Sequence, residues 1–421
     1  MLLSMLCKPV GMIISLVYTP LLLGYLGEEA YGLWATILSV VNWINYFDVG
    51  IGNGLRNELA KNVSTNDSEG SNQAVSTAYV LISFISSIVL VFGCVAINML
   101  DCNSLFNTKI DVKPALAISF VFICINFVLA LSKVQLFATQ QADKVGLMTV
   151  FIQVLNLIGI VILRIWGNGN IITVAILVGV SSLLVNILFT GKVWKDHCEF
   201  IPKINSFKKN KVSAIGNLGI KFFIIQIAAL VLYTTDNMII TRLFGPSNVT
   251  PYQTAYTAFG VVNGLFAAFI SPLWSEYTIA TEKGNYQWIE SVVFKLNFLL
   301  IPVGIVLGIG TFFFKTISEV WLHKILIYDE GLIPLMAVYF FMYVWGSIYS
   351  NVLNGMGKVD LQMFLAVVTT IVNIPLSVFL GRNMGMGSTG VLLATIICMA
   401  ASNIPSTIYT HKYIGLMNKK N

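Results

Sequence analysis

Apolar residues run along this chain in blocks of about twenty, parted by short polar breaks, and the pattern recurs twelve times. The blocks fall near 3–26, 31–54, 75–100, 113–139, 145–166, 171–192, 214–241, 250–272, 291–314, 331–353, 363–381 and 389–410. About 20 apolar residues span roughly 30 Å of hydrocarbon as a helix, where every backbone polar group must be bonded internally. The pattern therefore predicts an all-α integral membrane protein with twelve transmembrane helices. No break is long enough to hold a soluble domain. The first block has no small-residue cleavage site behind a short apolar core, so it is expected to remain as a helix.

Within the apolar blocks, polar residues fall on stripes. At 100° per residue, Asn42, Asn45, Asp48, Asn53 and Arg56 share one arc of the second span. Ser119, Asn126, Lys133 and Gln140 recur every seven residues along the fourth, and the fifth carries Gln153, Asn156 and Arg164. The later spans contribute Tyr252, Tyr256 and Asn263, then Tyr339, Tyr343, Ser350 and Asn354, then Gln362, Thr369 and Asn373. One stripe alone is ordinary interhelical glue. Six, drawn from both halves of the chain, predict a shared hydrated cavity.

Buried charge sharpens this. A charge at the bilayer centre costs at least about 2.5–3.5 kcal/mol, so it faces a cavity, finds a partner or snorkels to the interface. Lys133 and Lys295 sit near enough to the inner ends of their spans for either snorkelling or a cavity. Lys221 is seven residues in, about 10 Å of helix, which favours a cavity. Asp48 is too deep for lipid contact, while Asp236 is near an outer end, where Arg242 is close enough in sequence to balance it. With Lys8, the interior ammonium groups outnumber the two carboxylates. That balance suits an anionic cargo such as a phosphate or diphosphate better than a cation.

Lys and Arg also set the orientation. With the N-terminus inside, 15 basic residues face the cytoplasm and 7 the outer side, and both termini are cytoplasmic. The strongest signal is the six lysines of Lys192–Lys211, an orientation signal near anionic lipid to which no substrate role is assigned. The same loop divides the chain into an N-terminal six-helix lobe (1–193), a basic cytoplasmic loop (194–213) and a C-terminal six-helix lobe (214–421). Shifted by about 218 residues, the halves match faintly: Leu26-Gly27 meets Phe244-Gly245, Arg56-Asn57-Glu58 meets Trp274-Ser275-Glu276, and the turn at Thr139–Lys144 meets Gly355–Asp360. An even number of spans per half points both halves the same way, as in parallel-repeat transporters.

Composition adds mainly exclusions. Mean hydropathy is +0.81 and only 10% of residues are charged. The six cysteines form no CxxC pair, and His197, His323 and His411 are scattered. Neither a disulfide framework, a metal centre nor any other cofactor is expected. There is no phosphate loop, no nucleophile elbow and no exposed carboxylate pair, so an enzyme is not expected. The net charge of +6 is explained by the inside loops and implies no nucleic acid.

Two segments carry a family resemblance. Leu26–Trp34, LGEEAYGLW, followed by Asp48–Leu55, DVGIGNGL, resembles the start of the Wzx-type polysaccharide and O-antigen flippases. These belong to the multidrug/oligosaccharidyl-lipid/polysaccharide exporter superfamily and have the fold of the MATE transporters. Thr235-Asp236, the following Leu243-Phe244-Gly245, and Tyr252 fit the same pattern. The match departs in having Val49 where the family has leucine, and few residues before the first helix. The resemblance implies two six-helix lobes around a central cavity that opens alternately to either side. It implies a polyprenyl-diphosphate-linked oligosaccharide as cargo, carried across a bacterial plasma membrane for surface polysaccharide synthesis. Polysaccharide polymerase and chain-length machinery are plausible partners by the same resemblance.

These readings combine into one expectation. The diphosphate meets Lys8, Lys133, Lys221 and Lys295, with Arg56 steering at the inner mouth. Sugars lie against Asn42, Asn45, Asn126, Gln153 and Asn156. Asp48 and Asp236 either bind a coupling proton or sodium ion or pin helix ends. Two rivals remain: a drug or cation antiporter of the same fold, which needs cavity acids in excess, and a membrane-embedded polysaccharide polymerase or ligase, which needs a large outer loop rich in Arg, His or acids.

Overall fold

The structure is a computed structural model that describes residues 2–46, 51–167, 169–208, 234–270 and 273–419. These are helical almost throughout, with no strand among them. Nine helices among the described residues are long and apolar enough to cross a membrane. Of the other three expected spans, the second is broken, the seventh lies largely in 209–233, outside the described residues, and the eighth is a helix, Val249–Ile270. The chain divides into two compact units, residues 1–227 and 228–421.

The first unit holds α1 (Leu2–Leu26), α2 (Glu28–Val41), α3 (Ile51–Ser64), α4 (Ser68–Met99), the single turn α5 (Cys102–Leu105), α6 (Lys113–Leu129), α7 (Leu131–Ala138), α8 (Ala142–Trp166) and α9 (Ile171–Asp196). Its main pairings are α1 on α8, α6 on α4 and α9, and α3 on α4 and α7. The expected second span is not one helix. At Asn42 the α-helix gives way to a tight 3-10 turn, Asn42–Tyr46, and helical structure resumes at Ile51. A 3-10 turn advances three residues per turn in place of 3.6, so the arc drawn through Asn45, Asp48, Asn53 and Arg56 does not continue from α2. The fourth span also breaks, at Ala130, but both pieces stay helical and its stripe survives through Ser119, Asn126 and Lys133; Gln140, with φ 60, falls in the turn after α7.

The second unit holds α10 (Asp236–Phe244), α11 (Val249–Ile270), α12 (Leu273–Glu282), α13 (Tyr286–Leu322), α14 (Leu332–Gly355), α15 (Asp360–Val378) and α16 (Gly387–Asn418), with a π turn at Phe379–Asn383 after α15. Here α14 and α15 pack on α16, while α11 and α13 pack on α14. At 37 residues α13 is about 55 Å long. It therefore outreaches the hydrocarbon layer by several turns, beyond the expected 291–314. Both units show large apolar side chains on their outer faces, among them Phe92, Trp166, Phe294 and Phe312. That is the surface of a protein whose solvent is lipid.

The faint sequence repeat corresponds to repeated local geometry. Helices α4 and α13 begin 218 positions apart, as do α8 and α15. Asp67 and Asn285, likewise 218 apart, cap α4 and α13 in the same way, accepting from Gly70 N at 2.8 Å and Trp288 N at 3.1 Å. The residue before each cap, Asn66 and Gly284, has positive φ.

The segment after α9 is strapped to α4. Asn72 Nδ2 donates to the carbonyls of Glu199 and Ile201, both at 2.9 Å. The amides of Lys203 and Lys208 donate to Ser76 Oγ and Thr77 Oγ1 at 2.9 and 3.2 Å. Phe200 is fully buried there, with the His197 ring stacked on it at 4.7 Å.

Candidate functional site

The first unit contains a cavity of about 210 Å³ walled by α2, α6, α7, α8 and α9. Its lining follows from helical spacing. Ser119, Phe122, Asn126 and, past the break at Ala130, Lys133 come from one face of α6–α7; Ala175, Gly179, Ser182 and Asn186 come from one face of α9. Trp34 enters from α2, Asn42 from the 3-10 turn that follows it, and Ile152 from α8. Gly179 permits the close approach of α6 and α9, since a Cβ there would collide with the Phe122 ring. Three expected site residues, Asn42, Asn126 and Lys133, thus meet in one cavity. Trp34, Ser182 and Asn186 were not anticipated.

Amides, hydroxyls and one ammonium are set into a largely apolar lining. Asn186 Nδ2 donates to Asn126 Oδ1 at 2.7 Å, and Asn126 Nδ2 donates to the Phe122 carbonyl at 2.9 Å. This fixes both amides and leaves Asn186 Oδ1 buried without a partner. Ser119 Oγ is also buried and unpartnered. Among the described residues no Asp or Glu lines the cavity, and Lys133 is the charged side chain there.

Gln153 and Asn156 belong to a neighbouring seam, where α1 lies along α8. Their side-chain oxygens and Tyr18 OH are buried without hydrogen-bond partners. Gly11 makes room there, because a Cβ would crowd the Gln153 amide.

The remaining expected residues are dispersed. Lys8 is exposed on α1. Arg56 is exposed on α3 with its guanidinium over the Phe137 ring, 4.9 Å from the centroid. Lys295 is exposed on α13, on a face shared with Phe294 and Phe298. Asp48, Lys221 and the Asn45 side chain lie outside the described residues.

A second polar centre lies wholly in the second unit. Asp236, 3% exposed at the start of α10, accepts from Tyr252 OH at 2.6 Å. Thr395 Oγ1 of α16 lies 3.1 and 3.3 Å from its two carboxylate oxygens. Asn373 of α15 in turn donates to Thr395 Oγ1 at 3.1 Å. Asn373 Oδ1, and Ser377 Oγ one turn along, are buried and unpartnered. Among the described residues only hydroxyls reach the Asp236 carboxylate, and no Lys, Arg or His pairs with it. Nor does any cluster of three His, Cys, Asp or Glu able to hold a metal occur among the described residues.

Solved structures share this architecture. An inward-facing multidrug resistance MATE family transporter of the MOP superfamily aligns with TM-score 0.79, covering 97% of this chain and 96% of its own, at 15% identity. A MOP superfamily transporter from Pyrococcus furiosus, described as having reversed binding-pocket polarity, aligns at 0.68 with 15% identity, covering 99% and 96%. At such identity these show the fold alone. Nearer in sequence are a Salmonella typhimurium protein named for O-antigen transport, 24% identical over 90% of this chain and 88% of its own, and a Yersinia pseudotuberculosis protein named for O-antigen export, 22% identical over 80% and 78%. The polysaccharide biosynthesis protein family matches residues 1–278, a stretch that takes in both opening motifs, the cavity around Lys133 and Asp236 with Tyr252. On that match, the chain belongs to the polysaccharide biosynthesis protein family.

Proposed function

We propose that this protein is a flippase that carries polyprenyl-diphosphate-linked oligosaccharide units across a bacterial plasma membrane by alternating access, for assembly of a surface polysaccharide. The observation that carries the reading is the membrane-embedded cavity around Asn126, Asn186 and Lys133, whose amides, hydroxyls and single ammonium suit sugars and an anion. Family membership and the O-antigen relatives agree with it. A drug-cation antiporter would want carboxylates in that cavity, and among the described residues none lines it.

The finer features of this reading are as follows. Twelve spans with both termini cytoplasmic accord with the lysine bias and the parallel repeat. The diphosphate is drawn by Lys8, Lys133 and Lys221 with Arg56, while Asn42, Asn45, Asn126, Gln153 and Asn156 hold sugar hydroxyls; Lys295, on a face shared with Phe294 and Phe298, takes no part. Asp236, a buried carboxylate met among the described residues only by hydroxyls, takes a coupling proton or sodium ion. The polymerase and chain-length machinery receive the product at the outer face.

The test is the sidedness of the lipid-linked oligosaccharide in a strain lacking this protein, read by a probe confined to the outer leaflet. Accumulation inside, relieved by the wild-type gene, supports the flippase. Normal crossing with failed polymerisation replaces it with the polymerase or ligase reading.

A further inference from the structure

We propose that the strap on α4 is a docking surface for anionic phospholipid, with Ile204 and Phe207 set into the acyl boundary and Lys203 and Lys208 on headgroup phosphates. Two helices fix the level at which the strap lies. On α9 the exposed Leu184 and Leu188 are followed on the same face by the exposed Lys192 and Lys195. Leucine gives way to ammonium within one turn, which marks the edge of the acyl layer. On α4, Ser76 and Thr77 hold the strap, and Val80 and Phe84, 37% and 65% exposed, open the lipid-facing row on the same ridge. Thr77 to Val80 is about 4.5 Å along the helix axis. The strap therefore runs beside the first lipid-facing turn of α4, at headgroup depth.

Its side chains divide to match. Ile204 and Phe207 lie three apart across a 3-10 turn, closed by the Phe207 amide on the Ile204 carbonyl at 3.2 Å. Residues i and i+3 eclipse in such a turn, which puts both on one side, 86% and 38% exposed. The amides of Lys203 and Lys208 are tied to α4 while their side chains stay exposed. The acids beside them are already met, Asp196 by Lys144 at 3.5 Å and Glu199 by the His197 ring at 3.2 Å. Among the described residues Lys192, Lys195, Lys203 and Lys208 enter no ion pair. A fixed backbone that presents apolar side chains beside exposed lysines suits an anionic membrane surface. An acidic soluble protein would reach the lysines, but could cover Ile204 and Phe207 only by entering the headgroup layer.

The experiment places an environment-sensitive fluorophore on Ile204→Cys in full-length protein carrying Cys198→Ala; Cys198 is exposed, and the other five native thiols are buried or half-buried. The protein is reconstituted into phosphatidylcholine vesicles, with or without phosphatidylglycerol, whose upper acyl chains carry bromine as quencher. The label should be quenched more strongly in the anionic vesicles. A label at Asn205→Cys, exposed but offset around the turn, should be quenched much less. Each lysine near an anionic surface is worth about fivefold in docking, so Lys203→Gln with Lys208→Gln should lower the docked-to-lifted ratio roughly twenty-five-fold. Quenching should then fall toward its level in phosphatidylcholine alone, whereas Lys203→Arg with Lys208→Arg should keep it. No quenching at position 204, equal quenching at 204 and 205, or quenching indifferent to lipid charge and to both lysines would each overturn the docking; the first would leave this surface to a protein partner.

Discussion

Gly27 and Gly245, 218 positions apart, adopt nearly the same backbone conformation, φ 79 and ψ 174 at one, φ 92 and ψ 160 at the other. Glycine alone enters that region freely. Each ends the first helix of its half, Gly27 after α1 and Gly245 after α10. The repeat is thus written in backbone geometry more plainly than in side chains. Substituting Gly27→Ala isolates the conformational term, because a Cβ there meets nothing within 4 Å. The expected cost is about 1–3 kcal/mol, seen as a lowered Tm of the detergent-purified protein. Gly191→Ala in α9, where a Cβ also meets nothing, is the control and should leave Tm unchanged or slightly raised. Equal effects at both positions would mean that the turn at Gly27 is not constraining.

The strap on α4 predicts protease behaviour. Asn72→Ala removes two hydrogen bonds, together worth about 1–2 kcal/mol. The opened population should rise roughly five- to thirtyfold, and trypsin cleavage at Lys203 and Lys208 should rise with it. Unchanged cleavage would show that burial of Phe200 holds the segment without help from Asn72.

The stripe Ser119, Asn126, Lys133 was legible in the sequence because α6 and α7 keep helical phase across Ala130, so seven-residue spacing stays on one face. Asn42 reached the same cavity for a different reason than its arc suggested, since the α-helix stops there. Trp34 was hidden because a tryptophan within an apolar run counts as one more apolar residue. Asn186 was hidden because its block carries no charge and its polar neighbours are small hydroxyls; the available signal was the face Ala175, Gly179, Ser182, Asn186. Periodicity also does not say which face of a helix meets lipid. For Lys295, only the flanking Phe294 and Phe298 carried that information.

The Asn126–Asn186 bond joins α6 to α9 inside the membrane and is suited to a double-mutant cycle. Each single alanine change should cost stability, and the coupling between them should be about 0.6–2 kcal/mol. Both singles should also weaken transport, because losing either partner releases the orientation of the other. Full coupling in stability with wild-type transport in both variants would assign the pair to packing and remove it from the sugar site.

Asp236 invites the opposite outcomes in stability and activity. Among the described residues no cation pairs with the buried Asp236 carboxylate, and such a charge destabilises the resting protein, so Asp236→Asn should raise Tm while the hydrogen bonds from Tyr252 and Thr395 are largely retained. If the carboxylate takes the coupling ion, the same variant should lose transport driven by a proton or sodium gradient. Tyr252→Phe removes one donor but keeps the charge, so it should shift the ion dependence without abolishing transport. Collapsing each gradient separately in wild-type vesicles then identifies the ion. A fall in Tm for Asp236→Asn, with transport indifferent to both gradients, would assign Asp236 to pinning α10 against α11 and α16 through its hydroxyl partners.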